Sequence, residues 1–131
     1  MANENPTSKK ILIVEDDSFI SDMYKAKLEY LGYNIKIAEN GKVGLELAAS
    51  FNPDLILLDI VMPEKDGFEL LADLKKDEKL KDLPVILLTN LGRREDIEKG
   101  FKMGANDYII KAHFTPQEVV DKVSKVLKEK V

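Results

Sequence analysis

Residues 54–63, Asp-Leu-Ile-Leu-Leu-Asp-Ile-Val-Met-Pro, combine a short run of consecutive apolar residues with a carboxylate at its end and a proline soon after it. Apolar runs of this length between polar and turn-forming residues are typical of a strand buried on both faces, as in the middle of a parallel sheet. Asp59 then lies at the carboxyl end of the strand, the edge of open α/β sheets at which ligands bind. The segment therefore predicts an α/β domain with a candidate site at Asp59.

The rest of the chain alternates strand-like and helix-like segments. Four more strands are predicted at residues 10–14, 33–38, 83–89 and 107–111, and five helices at 18–31, 40–50, 68–74, 93–103 and 116–130. The first helix has an apolar face formed by Ile20, Met23, Tyr24, Leu28 and Leu31. Residues 62–67 form a loop by their proline and glycine content, and we expect Gly67 to supply an unusual backbone angle there. The alternation predicts one parallel sheet covered on both faces by helices.

The composition limits the classes of function. With 131 residues, 44% of them hydrophobic, the chain is long enough for one domain with its own core. Its net charge of -4 argues against a nucleic-acid surface, and the absence of cysteine excludes disulfides and thiolate chemistry. No apolar run approaches the roughly 18 residues of a membrane span. We expect a cytoplasmic protein in which residues 1–8 form a flexible tail.

Residues that can carry chemistry follow four of the predicted strands. Three acids, residues 15–17, follow the first strand, Asp59 the third, Thr89 ends the fourth and Lys111 the fifth. The carboxyl ends of parallel strands share one edge, so these residues should cluster there. Clustered carboxylates favour a hard cation such as Mg²⁺, and a carboxylate can be a nucleophile toward phosphorus. Taken singly, each residue also has an ordinary role as a cap, a strand residue or a surface lysine.

Four blocks of sequence occur in the order and at the spacing of a known family. They are ILIVEDD at 11–17, DLILLDIVMPEKDG at 54–67, PVILLTN at 84–90 and GANDYIIK at 104–111. From about Lys9 to Leu127, the chain resembles the receiver (response-regulator) domain of two-component signal transduction. The resemblance implies a single receiver domain at residues 9–131. It also implies a doubly wound, flavodoxin-like (βα)5 fold whose five-stranded parallel sheet has the order 2-1-3-4-5.

The resemblance also implies an acceptor and a metal site. Asp59 would be the phospho-acceptor. Asp16 and Asp59 would bind Mg²⁺ directly, together with the backbone carbonyl of Val61, and Glu15 would act through a water molecule.

A second set of implied roles concerns the response to phosphorylation. Lys111 would pair with the phosphoryl group, Thr89 would be the switch hydroxyl that moves toward it, and Tyr108 would be the switch aromatic. The changed surface would be formed by the fourth helix, the fifth strand and the fifth helix.

The implied function is a phospho-accepting signalling switch in a phosphorelay, not a turnover enzyme. A sensor histidine kinase or a histidine phosphotransfer protein would be the donor, and the output would be a protein that the sequence does not identify. We expect no membrane or direct nucleic-acid partner, and a homodimer formed on phosphorylation is an open alternative. The sequence also leaves open whether the chain is complete or part of a longer regulator.

The sequence departs from the family pattern in the loop after Lys111 and at Val61 and Leu91. Lys111 is followed by Ala112 instead of the proline of the usual Lys-Pro-Phe sequence with its cis bond, and the following loop is one residue longer. A cis bond without proline costs about 3 kcal/mol, so we expect a trans peptide and a rearranged loop from which Lys111 still points inward. Val61 and Leu91 occupy positions that border the path of the hydrolytic water in this family. Both are apolar, so we expect slow loss of the phosphoryl group.

Two other classes of function are alternatives. A phosphohydrolase with an aspartyl-phosphate intermediate would place a second aspartate two residues after the nucleophile, where this chain has Val61. A receiver-like scaffold that never accepts phosphate would not require the complete set of site residues. Flavin binding on a similar sheet would require a loop rich in serine, threonine and glycine after the first strand, where this chain has three acids.

Overall fold

The structure is a computed structural model of the chain, and it describes residues 8–129. The predicted tail, residues 1–8, lies outside this range except for Ser8. Strands and helices alternate as β1 (Lys10–Val14), α1 (Ser18–Tyr30), β2 (Asn34–Ala38), α2 (Gly41–Phe51), β3 (Leu55–Leu58), α3 (Gly67–Lys76), β4 (Val85–Thr89), α4 (Arg94–Lys102), β5 (Asp107–Ile110) and α5 (Pro116–Glu129). A short 3-10 helix, Lys111–His113, connects β5 to α5.

The strands form one parallel sheet in the order β2-β1-β3-β4-β5, which confirms the predicted topology. Every residue of β3 and β4 is buried, as their apolar runs predicted, because helices cover both faces of the sheet at its centre. β2 lies at an edge and alternates between exposed and buried residues. Among residues 8–129, no helix is both long and apolar enough to cross a membrane.

The helices form two layers with separate apolar clusters. α1 and α5 cover one face of the sheet, where their buried residues are Tyr24, Leu28, Val119, Val120, Val123 and Leu127. α2, α3 and α4 cover the other face, where the buried residues include Ala48, Phe51, Leu70, Leu71 and Leu74. Leu31, predicted on the inner face of α1, is instead 51% exposed, because α1 ends at Tyr30 before the positive φ of Gly32.

Side-chain caps fix where two of these helices begin. The Asp17 carboxylate accepts hydrogen bonds from the first-turn amides of α1. α5 begins with a capping box, in which Thr115 Oγ1 accepts from the Glu118 N–H and Glu118 Oε1 accepts from the Thr115 N–H. The loops that precede these two helices follow β1 and β5 and lie at the same edge of the sheet.

Candidate functional site

The register of the sheet brings the predicted site residues together at its carboxyl edge. Val14 of β1 pairs with Leu58 of β3, so Glu15 and Asp59, the next residue of each chain segment, are neighbours. The ladder continues one step past the strands, because the Asp59 N–H donates to the Val14 carbonyl at 3.0 Å. Asp59 is therefore held by its backbone in the centre of the sheet edge, and its side chain is almost fully buried.

Three carboxylates meet at this edge. Glu15, Asp16 and Asp59 each have an oxygen within 4.8 Å of the others. Asp16 is exposed to solvent, while Glu15 and Asp59 are buried. Carboxylates at this separation repel one another, and a set made only of oxygen donors suits a hard cation such as Mg²⁺. The chemistry of the donor set thus fits a divalent cation.

Lys111 places a positively charged side chain beside two of these carboxylates. Its Nζ donates to Glu15 Oε1 at 2.7 Å and to Asp59 Oδ2 at 3.2 Å. Burial disfavours the ammonium, but the hydrogen bond to Glu15 and the charges of Asp59 and Glu15 outweigh it and raise the pKa of Lys111. Burial raises the pKa of Glu15, although its hydrogen bond with Lys111 opposes the shift.

The loop after β5 shows how Lys111 points inward without the usual proline. The Lys111–Ala112 peptide is trans, as we expected. β5 ends at Ile110, one residue earlier than predicted, and Lys111 begins the 3-10 helix. This turn takes up the additional residue, and Phe114 packs against the apolar cluster under α1 and α5. The rearranged part of the loop therefore lies on the C-terminal side of Lys111, and the Lys111 side chain still points into the site.

Thr89 and Tyr108 both bond to Leu91. Thr89 is fully buried at the end of β4, and its Oγ1 accepts from the Leu91 N–H at 3.3 Å. The Tyr108 hydroxyl donates to the Leu91 carbonyl at 2.6 Å. Burial, followed by the charges of Asp96 and Asp59, raises the pKa of Tyr108 to about 12. The tyrosine is thus a neutral donor at physiological pH.

Gly67 is needed for a different reason from the one we predicted. The positive φ in the loop after Asp59 belongs to Glu64, at 66°, and Gly67 has an ordinary backbone angle. A Cβ on Gly67 would lie 2.6 Å from Ile60 Cα, so glycine permits a close approach of two backbones. The Gly67 N–H donates to the Ile60 carbonyl at 2.8 Å, which closes the loop that carries Val61.

Some contacts of the site were not foreseen from the sequence. The Asp17 N–H donates to Glu15 Oε2 at 3.1 Å, which orients Glu15. Arg93 Nε donates to the buried carboxylate of Asp96 at 3.0 Å, beside Tyr108. The sequence signal for this pair was an arginine and an aspartate three residues apart at the start of a helix. No sequence signal indicates the hydrogen bonds made by the backbone of Leu91.

A buried carboxylate, two further carboxylates and a lysine thus lie together at the carboxyl edge of a doubly wound sheet. Comparisons with known proteins identify the family of this domain. The family model described as "Response regulator receiver domain" matches residues 11–124. The chain belongs to this family.

A curated relative also supports this family assignment. The chain is 41% identical over 119 residues to the DNA-binding dual master transcriptional regulator RpaA of Synechocystis. This alignment covers 91% of the chain and 49% of RpaA, so the chain spans about half the length of this relative.

Solved structures agree as well. The receiver domain of Francisella response regulator 1452 superposes with a TM-score of 0.87 at 34% identity, covering 95% of this chain and 100% of that one. The Mn²⁺-bound form of response regulator Rcp1 superposes with a TM-score of 0.73 at 31% identity, covering 79% of this chain and 81% of that one. The fold is therefore that of receiver domains, and the chain is consistent with a phospho-accepting signalling switch.

Proposed function

We propose that residues 9–131 act as a receiver domain that accepts a phosphoryl group on Asp59 in a Mg²⁺-dependent reaction. One observation carries the proposal: the buried Asp59 carboxylate lies beside two further carboxylates and within 3.2 Å of the Lys111 ammonium. A nucleophile, oxygen ligands for a cation and a partner for phosphoryl oxygens thus occur together at one edge of the sheet.

The donor in this proposal is a phosphohistidine of a sensor histidine kinase or a histidine phosphotransfer protein. An Asp59 carboxylate oxygen attacks phosphorus, the P–N bond to the imidazole breaks, and the departing imidazole takes up a proton from solvent. Lys111 Nζ exchanges its bond to Asp59 for one to a phosphoryl oxygen, and Thr89 Oγ1 donates to another. The products are an aspartyl phosphate and a free histidine.

Asp16, Asp59 and the Val61 carbonyl would hold the cation, and Glu15 would reach it through water. Mg²⁺ would supply neutralisation of the charge that develops on the transferring phosphoryl oxygens. The oxygen-only donor set supports this assignment, and the homologous Rcp1 is known in a Mn²⁺-bound form.

We infer that the chain catalyses only its own phosphorylation and dephosphorylation. Val61 stands where an aspartyl-phosphate phosphohydrolase would place its second aspartate, and its side chain is 60% exposed. The output is read from the surface formed by α4, β5 and α5, to which Tyr108 belongs. RpaA, which is named a DNA-binding regulator, is about twice as long as the stretch it shares with this chain. If the pathway of this chain includes DNA binding, we assign that activity to residues outside the stretch that aligns with RpaA.

The proposal is tested by incubation with acetyl phosphate and Mg²⁺, followed by intact mass spectrometry. The expected result is a gain of one phosphoryl group that is lost without Mg²⁺ and in Asp59→Ala. Asp22→Ala, which removes an exposed carboxylate of α1, is the matched control and should gain the group like the unchanged protein. No gain under any condition would support the non-phosphorylated scaffold instead.

A further inference from the structure

The segment between Asp59 and α3 carries Val61. In the proposed function, the backbone carbonyl of Val61 is a ligand of the cation. Both ends of this segment are fixed. The Gly67 N–H donates to the Ile60 carbonyl at 2.8 Å, and Asp66 forms a capping box with Glu69 at the start of α3. Between these anchors the chain must reverse direction.

The reversal places a side-chain-bearing residue in the left-handed region. Glu64 has φ 66°, a conformation that residues with a side chain rarely adopt. Residues held in this region persist only where their surroundings fix the backbone on both sides. The neighbour of Glu64 on its helix side is Lys65, so the contacts of Lys65 decide how firmly the reversal is held.

Lys65 contacts two helices, α3, which follows the segment, and α2, which packs beside it. Its Nζ forms an ion pair with Asp73 Oδ2 on α3, with each side chain 30% exposed, and this hydrogen bond raises the pKa of Lys65. Its stem packs against the start of α2, where a Cβ added to Gly41 would lie 2.8 Å from Lys65 Cβ and Cγ. The segment is therefore clamped between α2 and α3 through one lysine.

We propose that Lys65 is a positioning residue for the cation site. Its ion pair with Asp73 fixes the segment that carries Val61 and thereby stabilises the site. The inference rests on the proposed function, because it assumes that the Val61 carbonyl is a ligand. Lys65 is not among the residues proposed to hold the cation or the phosphoryl group. Its loss should therefore weaken cation binding and leave the chemistry of the loaded site unchanged.

Lys65→Met and Asp73→Asn test the inference. Phosphorylation by acetyl phosphate is measured across a Mg²⁺ series, and Mn²⁺ binding is measured separately from the EPR signal of the free ion. Each variant should raise the half-saturating Mg²⁺ concentration and the Mn²⁺ Kd about 3- to 10-fold, at or below the low end of the range for partners that orient metal ligands. The maximal rate at saturating Mg²⁺ should stay unchanged.

Two further variants make the test specific. The charge swap Lys65→Asp with Asp73→Lys should recover most of the lost affinity, because it restores the ion pair. Lys81→Met removes the exposed pair with Glu78 away from the site and should change neither constant.

Two results would overturn the inference while leaving the proposed function intact. One is that both single variants bind Mn²⁺ as tightly as the protein without substitutions, while phosphorylation of that protein depends on Mg²⁺. The other is a lower maximal rate without a shift in half-saturation. If the unchanged protein binds no Mn²⁺ and gains no phosphoryl group, the proposed function fails, and the inference fails with it.

Discussion

Thr89 and Tyr108 are joined through the backbone of one residue, Leu91, whose N–H donates to the threonine hydroxyl and whose carbonyl accepts from the tyrosine hydroxyl. Thr89 ends β4, the neighbour in the sheet of β3, which leads to the proposed acceptor Asp59. Tyr108 lies under α4. A Thr89 hydroxyl that turned toward a phosphoryl group on Asp59 would release the Leu91 N–H. The segment at Leu91, which also accepts the Tyr108 hydrogen bond, would then change its hydrogen bonding. The proposed acceptor Asp59 and the α4 surface would thus be linked through one short segment.

Removal of the Tyr108 hydroxyl should destabilise the protein without abolishing acceptance of phosphate. Tyr108→Phe leaves the Leu91 carbonyl without its donor in a partly buried setting, which costs about 1 kcal/mol of unfolding free energy. Urea unfolding measures this loss. Tyr30→Phe, at a tyrosine that is 90% exposed, is the control and should be neutral. Equal stability of the two variants would show that the Leu91 bond contributes nothing.

Stability should fall at alkaline pH partly through Tyr108. Its pKa is raised to about 12, so between pH 10 and 12 the folded protein keeps a proton that the unfolded chain releases. Folding stability therefore decreases as the pH rises through this window. Unfolding free energies at pH 8 and pH 11 should differ less in Tyr108→Phe than in the unchanged protein. The raised pKa of Lys111 acts in the same direction in both proteins and cancels in this comparison.

A methyl group at Gly67 should disturb the acceptor site. In Gly67→Ala the Cβ meets the backbone of Ile60, which cannot yield as a side chain can, so we expect a loss of about 1–3 kcal/mol and weaker Mg²⁺ binding. Gly92→Ala is the matched control, because its Cβ meets only the end of the Ile110 side chain at 3.4 Å. Thermal unfolding and Mg²⁺ titration of both variants check the prediction. A Gly67→Ala protein as stable as Gly92→Ala would contradict the close approach.

The phosphorylated protein should be long-lived, because the apolar side chains of Val61 and Leu91 cannot orient an attacking water. Val61→Asn and Leu91→Glu each add a group that can. We expect loss of the phosphoryl group to become several-fold faster, below the ~10²- to 10⁴-fold that a well-positioned proton-transfer group contributes. The decay is followed by intact mass after removal of acetyl phosphate. Decay no faster than that of the unchanged protein in both variants would refute this explanation of the lifetime.

The sequence predicted what depends on side-chain pattern. Continuous apolar runs located β3 and β4 at the centre of the sheet, and parallel topology then required Asp59 and Lys111 to share an edge. Contacts made by backbone atoms were not predictable. The role of Gly67 depends on the approach of Ile60, and the link through Leu91 uses only its amide and carbonyl. Leu31 fitted the helical spacing, but the helix ended one residue before it.

The central claim, that Asp59 is the acceptor, is tested most directly by locating the phosphoryl group in the chain. After incubation with acetyl phosphate and Mg²⁺, borohydride reduces an aspartyl phosphate to homoserine, and peptide mass spectrometry then identifies the altered residue. We predict homoserine at position 59 alone, dependent on Mg²⁺. Homoserine at another aspartate, or none in a protein that has gained the phosphoryl group, would contradict the account.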